Sequence, residues 1–216
     1  MSTYVMSDVH GNYSKFLKLL HKIDFKDSDK LYILGDIIDR GKQPFNILGY
    51  IIKHKNIHLL QGNHEEFLID YAEGFDDGYE WKCNGGTKTL IQFNSKTYEQ
   101  QQFLYNYLKN RPKYVVIEDK YILSHAGLYI PPNGNNYSIE QLVNLLGDNF
   151  LWHRYTLDKE KQYKHYIQIC GHNRTQSIDG GNNIIYRLGT IYIDCGVDVG
   201  GYLAALRLDD MKEYYI

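Results

Sequence analysis

Three times within the first 65 residues a short apolar run ends in a polar, glycine-marked motif. TYVM, residues 3–6, runs into Ser7-Asp8-Val9-His10-Gly11. KLYIL, residues 30–34, runs into Gly35-Asp36-Ile37-Ile38-Asp39-Arg40-Gly41. IHLL, residues 57–60, runs into Gln61-Gly62-Asn63-His64-Glu65. Apolar runs this short read as buried strands. Between them lie two stretches with helical spacing. Residues 14–23 carry Phe16, Leu17, Leu19, Leu20 and Ile23 behind two candidate caps, Asn12 and Ser14. Pro44 to Lys53 carries Phe45, Ile47, Leu48, Ile51 and Ile52 behind a proline suited to a helix start. A β-α-β-α-β order constrains the fold to a parallel sheet covered by helices. Such sheets gather their chemistry at the carboxyl ends of the strands, where all three motifs fall.

The rest of the chain reads more loosely. Residues 65–72 continue as a helix. Residues 73–112 contain Gly74, Asp76-Asp77-Gly78 and Asn84-Gly85-Gly86, with short helical stretches near 87–93 and 99–109. This is a helical excursion within the domain, and its aromatics Tyr79, Trp81, Phe93 and Tyr98 read as core. Residues 114–127 form two strands about a turn at Glu118-Asp119-Lys120, the second ending in His125. A helix over 138–146 starts on the capping box Ser138-x-x-Gln141. Trp152-His153-Arg154 falls in a loop, and the strand YIQICGH, 166–172, ends in His172. NIIYR and TIYID, joined at Leu188-Gly189, are strands, as are YLAALRL, 202–208, and EYYI, 213–216. The expectation is one α/β domain over residues 1–216, of the α+β sandwich type. Two mixed β-sheets pack together and helices flank them.

The motif residues make a chemical set. In an extended segment Asp8 and His10 point the same way, so D-x-H offers one oxygen and one imidazole nitrogen. Asp8, His10, Asp36, Asn63, His125 and His172 all stand at strand ends beside glycine or a small residue. A mixed oxygen and nitrogen set with one shareable carboxylate suits two divalent transition ions about 3.5–4 Å apart. Asp36, on the central strand of the first three, is the natural bridge. Asp39, Arg40, His64 and Arg154 are of the types that bind phosphate and move protons. The remaining histidines, His21, His54, His58, His153 and His165, read as structural or solvated. A formal net charge of -2 gives no reason to expect nucleic-acid or membrane binding. Three cysteines without a C-x-x-C, and an N-terminus without a signal-peptide pattern, fit a reducing cytoplasm. A monomer is expected.

The series D-V-H-G, G-D-I-I-D-R-G, G-N-H-E, S-H-A-G and C-G-H resembles the PPP family of metallophosphoesterases, with the calcineurin-like fold. The likeness spans residues 8–172 and extends to Tyr192-Ile193-Asp194-Cys195-Gly196. GNHEEFLIDYA, W-x-x-N-G-G at Trp81 to Gly86 and W-x-R at Trp152 to Arg154 look most like its bacterial and phage branch. The resemblance implies one metal on Asp8, His10 and Asp36, and another on Asp36, Asn63, His125 and His172. It implies Mn2+, or an iron–zinc pair. It implies that Arg40 and Arg154, with Asn63, hold the phosphate, and that His64 is a general acid whose tautomer Asp39 sets. Hydrolysis would proceed by direct attack of a metal-bridging hydroxide.

Three functions follow. The first is a phosphatase of phosphoserine and phosphothreonine in proteins, with phosphotyrosine as a further substrate. The second is symmetrical diadenosine tetraphosphate hydrolysis, from a related branch in which the position of Asp39 is usually alanine. The aspartate here favours the first. The third is an inactive phosphate- or metal-binding module, which the full set of ligands and arginines disfavours.

Overall fold

A computed structural model describes residues 1–154 and 162–216. The first half alternates as expected: β1 (Thr3–Met6), α1 (Tyr13–Lys22), β2 (Lys30–Ile33), α2 (Pro44–Lys53), β3 (Ile57–Leu59) and α3 (Asn63–Glu73). The excursion follows as α4 (Tyr79–Trp81), a kinked turn at Lys82–Gly86, α5 (Thr87–Asn94) and α6 (Tyr98–Lys109). Then come β4 (Tyr114–Ile117), β5 (Tyr121–Ser124), α7 (Ile139–Leu146), β6 (Ile167–Cys170) and α8 (Thr175–Asp179). The described chain finishes with β7 (Ile185–Arg187), β8 (Thr190–Tyr192), β9 (Ala204–Arg207) and β10 (Lys212–Tyr215).

Two five-stranded mixed sheets result, ordered β10-β9-β1-β2-β3 and β4-β5-β6-β8-β7. In the first, β1, β2 and β3 are parallel neighbours. Met6 stands level with Ile33, and Ile33 with Leu59, so the three motifs leave the sheet side by side. In the second, β5 and β6 are parallel, with Leu123 level with Ile169, so His125 and His172 also leave together. Alternation along β1 decides which residues face which layer. Val5 points between the sheets, joining Leu34, Leu60, Leu123, Ile169 and Ile191. Met6 points outward, joining Phe16 and Leu19 of α1 and Ile47 and Leu48 of α2. A third apolar cluster, Ile122, Leu142, Phe150 and Tyr163, backs the second sheet. Among the described residues no helix is long and apolar enough to cross a membrane.

Some local expectations change. The last two strands, whose sheet the sequence left open, join the first one. β9 pairs antiparallel with β1, Tyr4 opposite Arg207, and closes the first sheet. Asn12 occupies the cap position of α1 but makes no capping bond; its amide donates back to the carbonyls of Val9 and His10. The capping box at Ser138 and Gln141 is formed. Trp81 and Phe93 are core, whereas Tyr79 and Tyr98 are exposed. Each of those tyrosines is the first residue of its helix, off the stripe that turns inward, which for α6 is Leu104 and Leu108.

Candidate active site

The site is built from loops whose backbones take an unusual shape. Asp8, His10, Asp36, Asp39, Arg40 and His172 all have positive φ, between 46° and 68°. Non-glycine residues enter that region at a cost of order 1–3 kcal/mol each and persist only where surroundings over-determine them. Here they are. The β1 loop is laced to the β2 loop by His10 N–H to Asp36 O and Gly11 N–H to Ile37 O, both 2.9 Å. Glu65, fully buried, reaches across from α3. Its Oε2 accepts from Asp36 N at 2.7 Å and Gly62 N at 2.9 Å, and its Oε1 accepts from Ile37 N at 3.0 Å. Burial pushes the Glu65 carboxyl up to about 7, against the opposing pull of those backbone donors. Gly35 and Gly62 touch backbone to backbone. A Cβ on Gly35, at φ +84°, would meet Gly62 Cα at 2.5 Å, so only glycine admits this approach.

These loops aim donors at Asp36. Its Oδ2 lies 3.7 Å from His10 Nε2 and its Oδ1 lies 3.4 Å from His125 Nε2. One carboxylate thus faces two histidines from two sheets. Asp8 Oδ1 is 3.8 Å from His10 Nε2, while its Oδ2 accepts from His172 N at 3.1 Å and from the Ser7 hydroxyl. Two groups could hold ions: His10, Asp36 and His64, and Asp36, His125 and His172, each with its donor atoms within 4.8 Å of one another.

The tautomers bear on whether ions fit. His10 Nδ1–H donates to Ile38 O at 3.1 Å and His125 Nδ1–H to Leu34 O at 2.7 Å, leaving each Nε2 as a lone pair. His172 faces two oxygen acceptors, Asn63 Oδ1 from Nδ1 at 3.0 Å and Trp152 O from Nε2 at 3.3 Å, and a neutral ring has one proton for the two. The His125 lone pair points at Asn63 Oδ1 from 2.8 Å. Each of these two neutral rings thus faces two oxygens with one proton to give, and a lone pair is left against an oxygen, an arrangement that a cation reconciles. Burial also drives the histidines toward the neutral, ligating form, His172 down to about 2. Burial, then Asp8 and Glu65, push the Asp36 carboxyl well above its usual range; a bound cation reverses that pressure. The residues present therefore fit a pair of divalent ions.

Phosphate-binding and proton-moving groups stand beside this set. Arg40 donates through Nη1 to His10 Nε2 at 2.7 Å and to Asp198 Oδ2 at 2.8 Å, and through Nη2 to His64 Nε2 at 2.9 Å. His64 Nδ1 is 2.6 Å from Asp39 Oδ2, and that same oxygen accepts from Trp81 Nε1–H at 2.7 Å. Phe67 packs edge-on against His64, with ring centroids 5.8 Å apart. Arg154 stands exposed at the rim, its Nη1 donating to His172 O at 3.4 Å.

The structure brings together Asp8, His10, Asp36, Asn63, His125, His172, His64, Asp39 and Arg40, with Arg154 at their margin. It also shows residues that strand-end reasoning missed. Glu65 stood in plain view within G-N-H-E, but its work is on backbone amides. Trp81 is buried as expected and also supports Asp39. The excursion thereby acquires a role, since Gly85 O also accepts from Arg40 N at 3.0 Å. Asp198 had no signal of its own: it falls in a turn after Gly196, away from the strand-end motifs.

The sequence profile of the calcineurin-like phosphoesterase family matches residues 1–199. Among curated proteins, a Buchnera aphidicola subsp. Baizongia pistaciae relative is 31% identical over 132 residues, 60% of this chain and 45% of its own. It is named a symmetrical bis(5'-nucleosyl)-tetraphosphatase. The chain spans less than half the length of the curated relatives it matches. A crystal structure of a candidate diadenosine tetraphosphatase superposes with a TM-score of 0.75 at 17% identity, covering 100% of this chain and 92% of that one. A serine/threonine protein phosphatase from Saccharomyces cerevisiae superposes with a TM-score of 0.68 at 15% identity, covering 96% and 72%. At such identities the superpositions speak for the fold alone. The curated names overturn the preference for a phosphoserine and phosphothreonine phosphatase and favour its alternative. The structure shows why Asp39 misled. Asp39 is fully buried and its Oδ2 is shared by His64 and Trp81, so its identity reports on support of the histidine and not on the substrate. Two mixed sheets, helices on their outer faces and a profile match over residues 1–199 place this chain in the calcineurin-like phosphoesterase family.

Proposed function

We propose that this protein is a metal-dependent hydrolase of symmetrical dinucleoside tetraphosphates, splitting the central phosphoanhydride to give two nucleoside diphosphates. The curated relatives' name supports the substrate class. The observation that carries the chemistry is the convergence of two donor groups on Asp36, one with His10 and His64 and one with His125 and His172, with Arg40 beside the first. One ion is assigned to Asp8, His10 and Asp36, the other to Asp36, Asn63, His125 and His172. Mn2+ is the ion proposed, with an iron–zinc pair as the alternative. When bound, the two ions supply an activated water and offset phosphoryl charge.

The chain's own residues do the rest. Arg40 and Arg154 hold the non-bridging oxygens of the scissile phosphoryl group, where a guanidinium fork matches the geometry. Asn63 offers its carbonyl oxygen to the ion and its amide nitrogen to the substrate. Asp39, fixed by Trp81, holds a proton on Nδ1 of His64, which leaves Nε2 to carry the proton to be delivered once Arg40, whose Nη2 now donates to it, turns to the phosphate. Water adds to one central phosphorus. The bridging oxygen leaves with its electron pair on the other diphosphate and takes the proton from His64.

The test is product analysis with diadenosine tetraphosphate and Mn2+. ADP should be the only nucleotide product, and a chelator should abolish its formation. AMP appearing with ATP would show asymmetrical cleavage and remove this reading. Turnover of p-nitrophenyl phosphate without turnover of the tetraphosphate would leave the phosphoesterase and remove the substrate.

A further inference from the structure

Arg174 takes no part in the centre described above, yet it lies one carboxylate away from it. Its guanidinium grips Asp198 as a fork, Nε at 3.2 Å from Oδ1 and Nη2 at 2.6 Å from Oδ2. The same Oδ2 accepts from Arg40 Nη1 at 2.8 Å. The Asp198 side chain is 3% exposed, against 31% for Arg174 and 28% for Arg40. A sealed carboxylate therefore holds two arginines that both reach solvent. Two guanidiniums set side by side repel; the carboxylate between them offsets this and leaves one positive charge over. The fork uses Nε and Nη2, so the Nη1 edge of Arg174 points away from Asp198. A bridge needed only to pin the Val197–Val199 turn would take one arginine, and here the second is Arg40.

A single phosphate is served by Arg40, Arg154 and the two ion groups. A tetraphosphate chain carries three further phosphates past the edge of that centre, and each brings charge that must meet a cation or water. The geometry points to Arg174, clamped by Asp198 beside Arg40, as the subsite for the non-scissile phosphates of a polyphosphate substrate. This rests on the reading under Proposed function and names how that substrate is told from a simple ester.

The experiment compares wild type, Arg174→Ala and Arg174→Lys with Mn2+. Initial rates are measured on diadenosine tetraphosphate and on p-nitrophenyl phosphate. Inorganic tripolyphosphate and orthophosphate are titrated as inhibitors of the second reaction. Wild type should bind tripolyphosphate more tightly than orthophosphate. Arg174→Ala should raise KM for the tetraphosphate about tenfold more than for the small ester, the usual worth of a charge-assisted hydrogen bond, and should erase the tripolyphosphate preference. Arg174→Lys, which keeps the charge and loses the fork, should fall between; should the alanine variant fail to fold, the lysine variant's inhibition pattern carries the test. Asp198→Asn, which frees Arg40 as well, should slow both substrates. Equal losses on both substrates in Arg174→Ala would overturn the subsite, as would a wild type that does not distinguish the two inhibitors. If wild type ignores the tetraphosphate but keeps an Arg174-dependent preference for tripolyphosphate, the subsite stands and the proposed substrate falls.

Discussion

Asp8, His10 and Asp36 leave β1 and β2, parallel neighbours in one sheet, and their loops are laced together by backbone bonds. His125 and His172 leave β5 and β6 of the other sheet and meet Asp36 and Asn63 only because the sheets pack face to face. The first group is thus a local construction, fixed by strand register. The second is a tertiary one, fixed by the apolar layer of Val5, Leu34, Leu60, Leu123 and Ile169 between the sheets. On the proposed assignment an ion in the first group would steady two adjacent loops, and an ion in the second would staple two sheets. Asp36 is the one carboxylate the proposed assignment gives to both.

That contrast is broken most severely at Asp36. Asp36→Asn should cost both ions and lower turnover by several kcal/mol of barrier, roughly 10⁴-fold. Metal analysis returning two full equivalents in this variant would end the bridging assignment. Next comes His64, whose Nε2 is 3.8 Å from Asp36 Oδ2 and so lies within reach of the local group. As the acid and not a ligand, His64→Ala should keep both ions while kcat falls about 10²–10⁴-fold. The loss should be larger on phenyl phosphate than on p-nitrophenyl phosphate, whose phenol leaves without help. Loss of one ion instead would move His64 into the local group.

Much of this was legible beforehand because each residue's place after a strand shows locally. A strand fixes which residues share a side, and Asp8, His10, Asp36, Asn63, His125 and His172 all follow a strand directly. Pairing between distant segments has no such signature, so nothing in YLAALRL revealed that it would lie against β1. Nor does sequence show a non-glycine residue at positive φ, or a carboxylate such as Glu65 spent on backbone. Trp81 could be read as buried, but not as a donor to Asp39, because that bond needs the excursion folded back onto the second motif.

Smaller effects sharpen the comparison. Hydrogen exchange with and without Mn2+ should show protection at both the 8–11 and 125–127 loops in wild type. At an ion concentration 100 times its Kd the gain is about 2.7 kcal/mol, near a hundredfold in protection. In His172→Ala the gain should survive at 8–11 and vanish at 125–127, and in His10→Ala the reverse. Loss at both loops in either variant would mean the groups do not fill independently. Trp81→Phe touches neither group, so it should keep both ions and cost about tenfold in kcat, more on phenyl phosphate than on p-nitrophenyl phosphate. Cys195 should matter least. Burial pushes its thiol up to about 12, which leaves it without thiolate at neutral pH, and Cys195→Ser should hold turnover within a few-fold.

The pairing of β9 with β1 has a consequence on the ribosome. β1 lies inside its sheet, between β2 and β9, with Tyr4 opposite Arg207 and Met6 opposite Ala205. The strand that leads into Asp8 and His10 is made before β9, and one of its edges stays bare until residues 204–207 have been made. A bare apolar edge is a template for pairing with other chains. While the residues between the two strands are being made this chain therefore presents a half-finished sheet, and a holdase that shields residues 3–6 over that interval should raise the yield of folded protein.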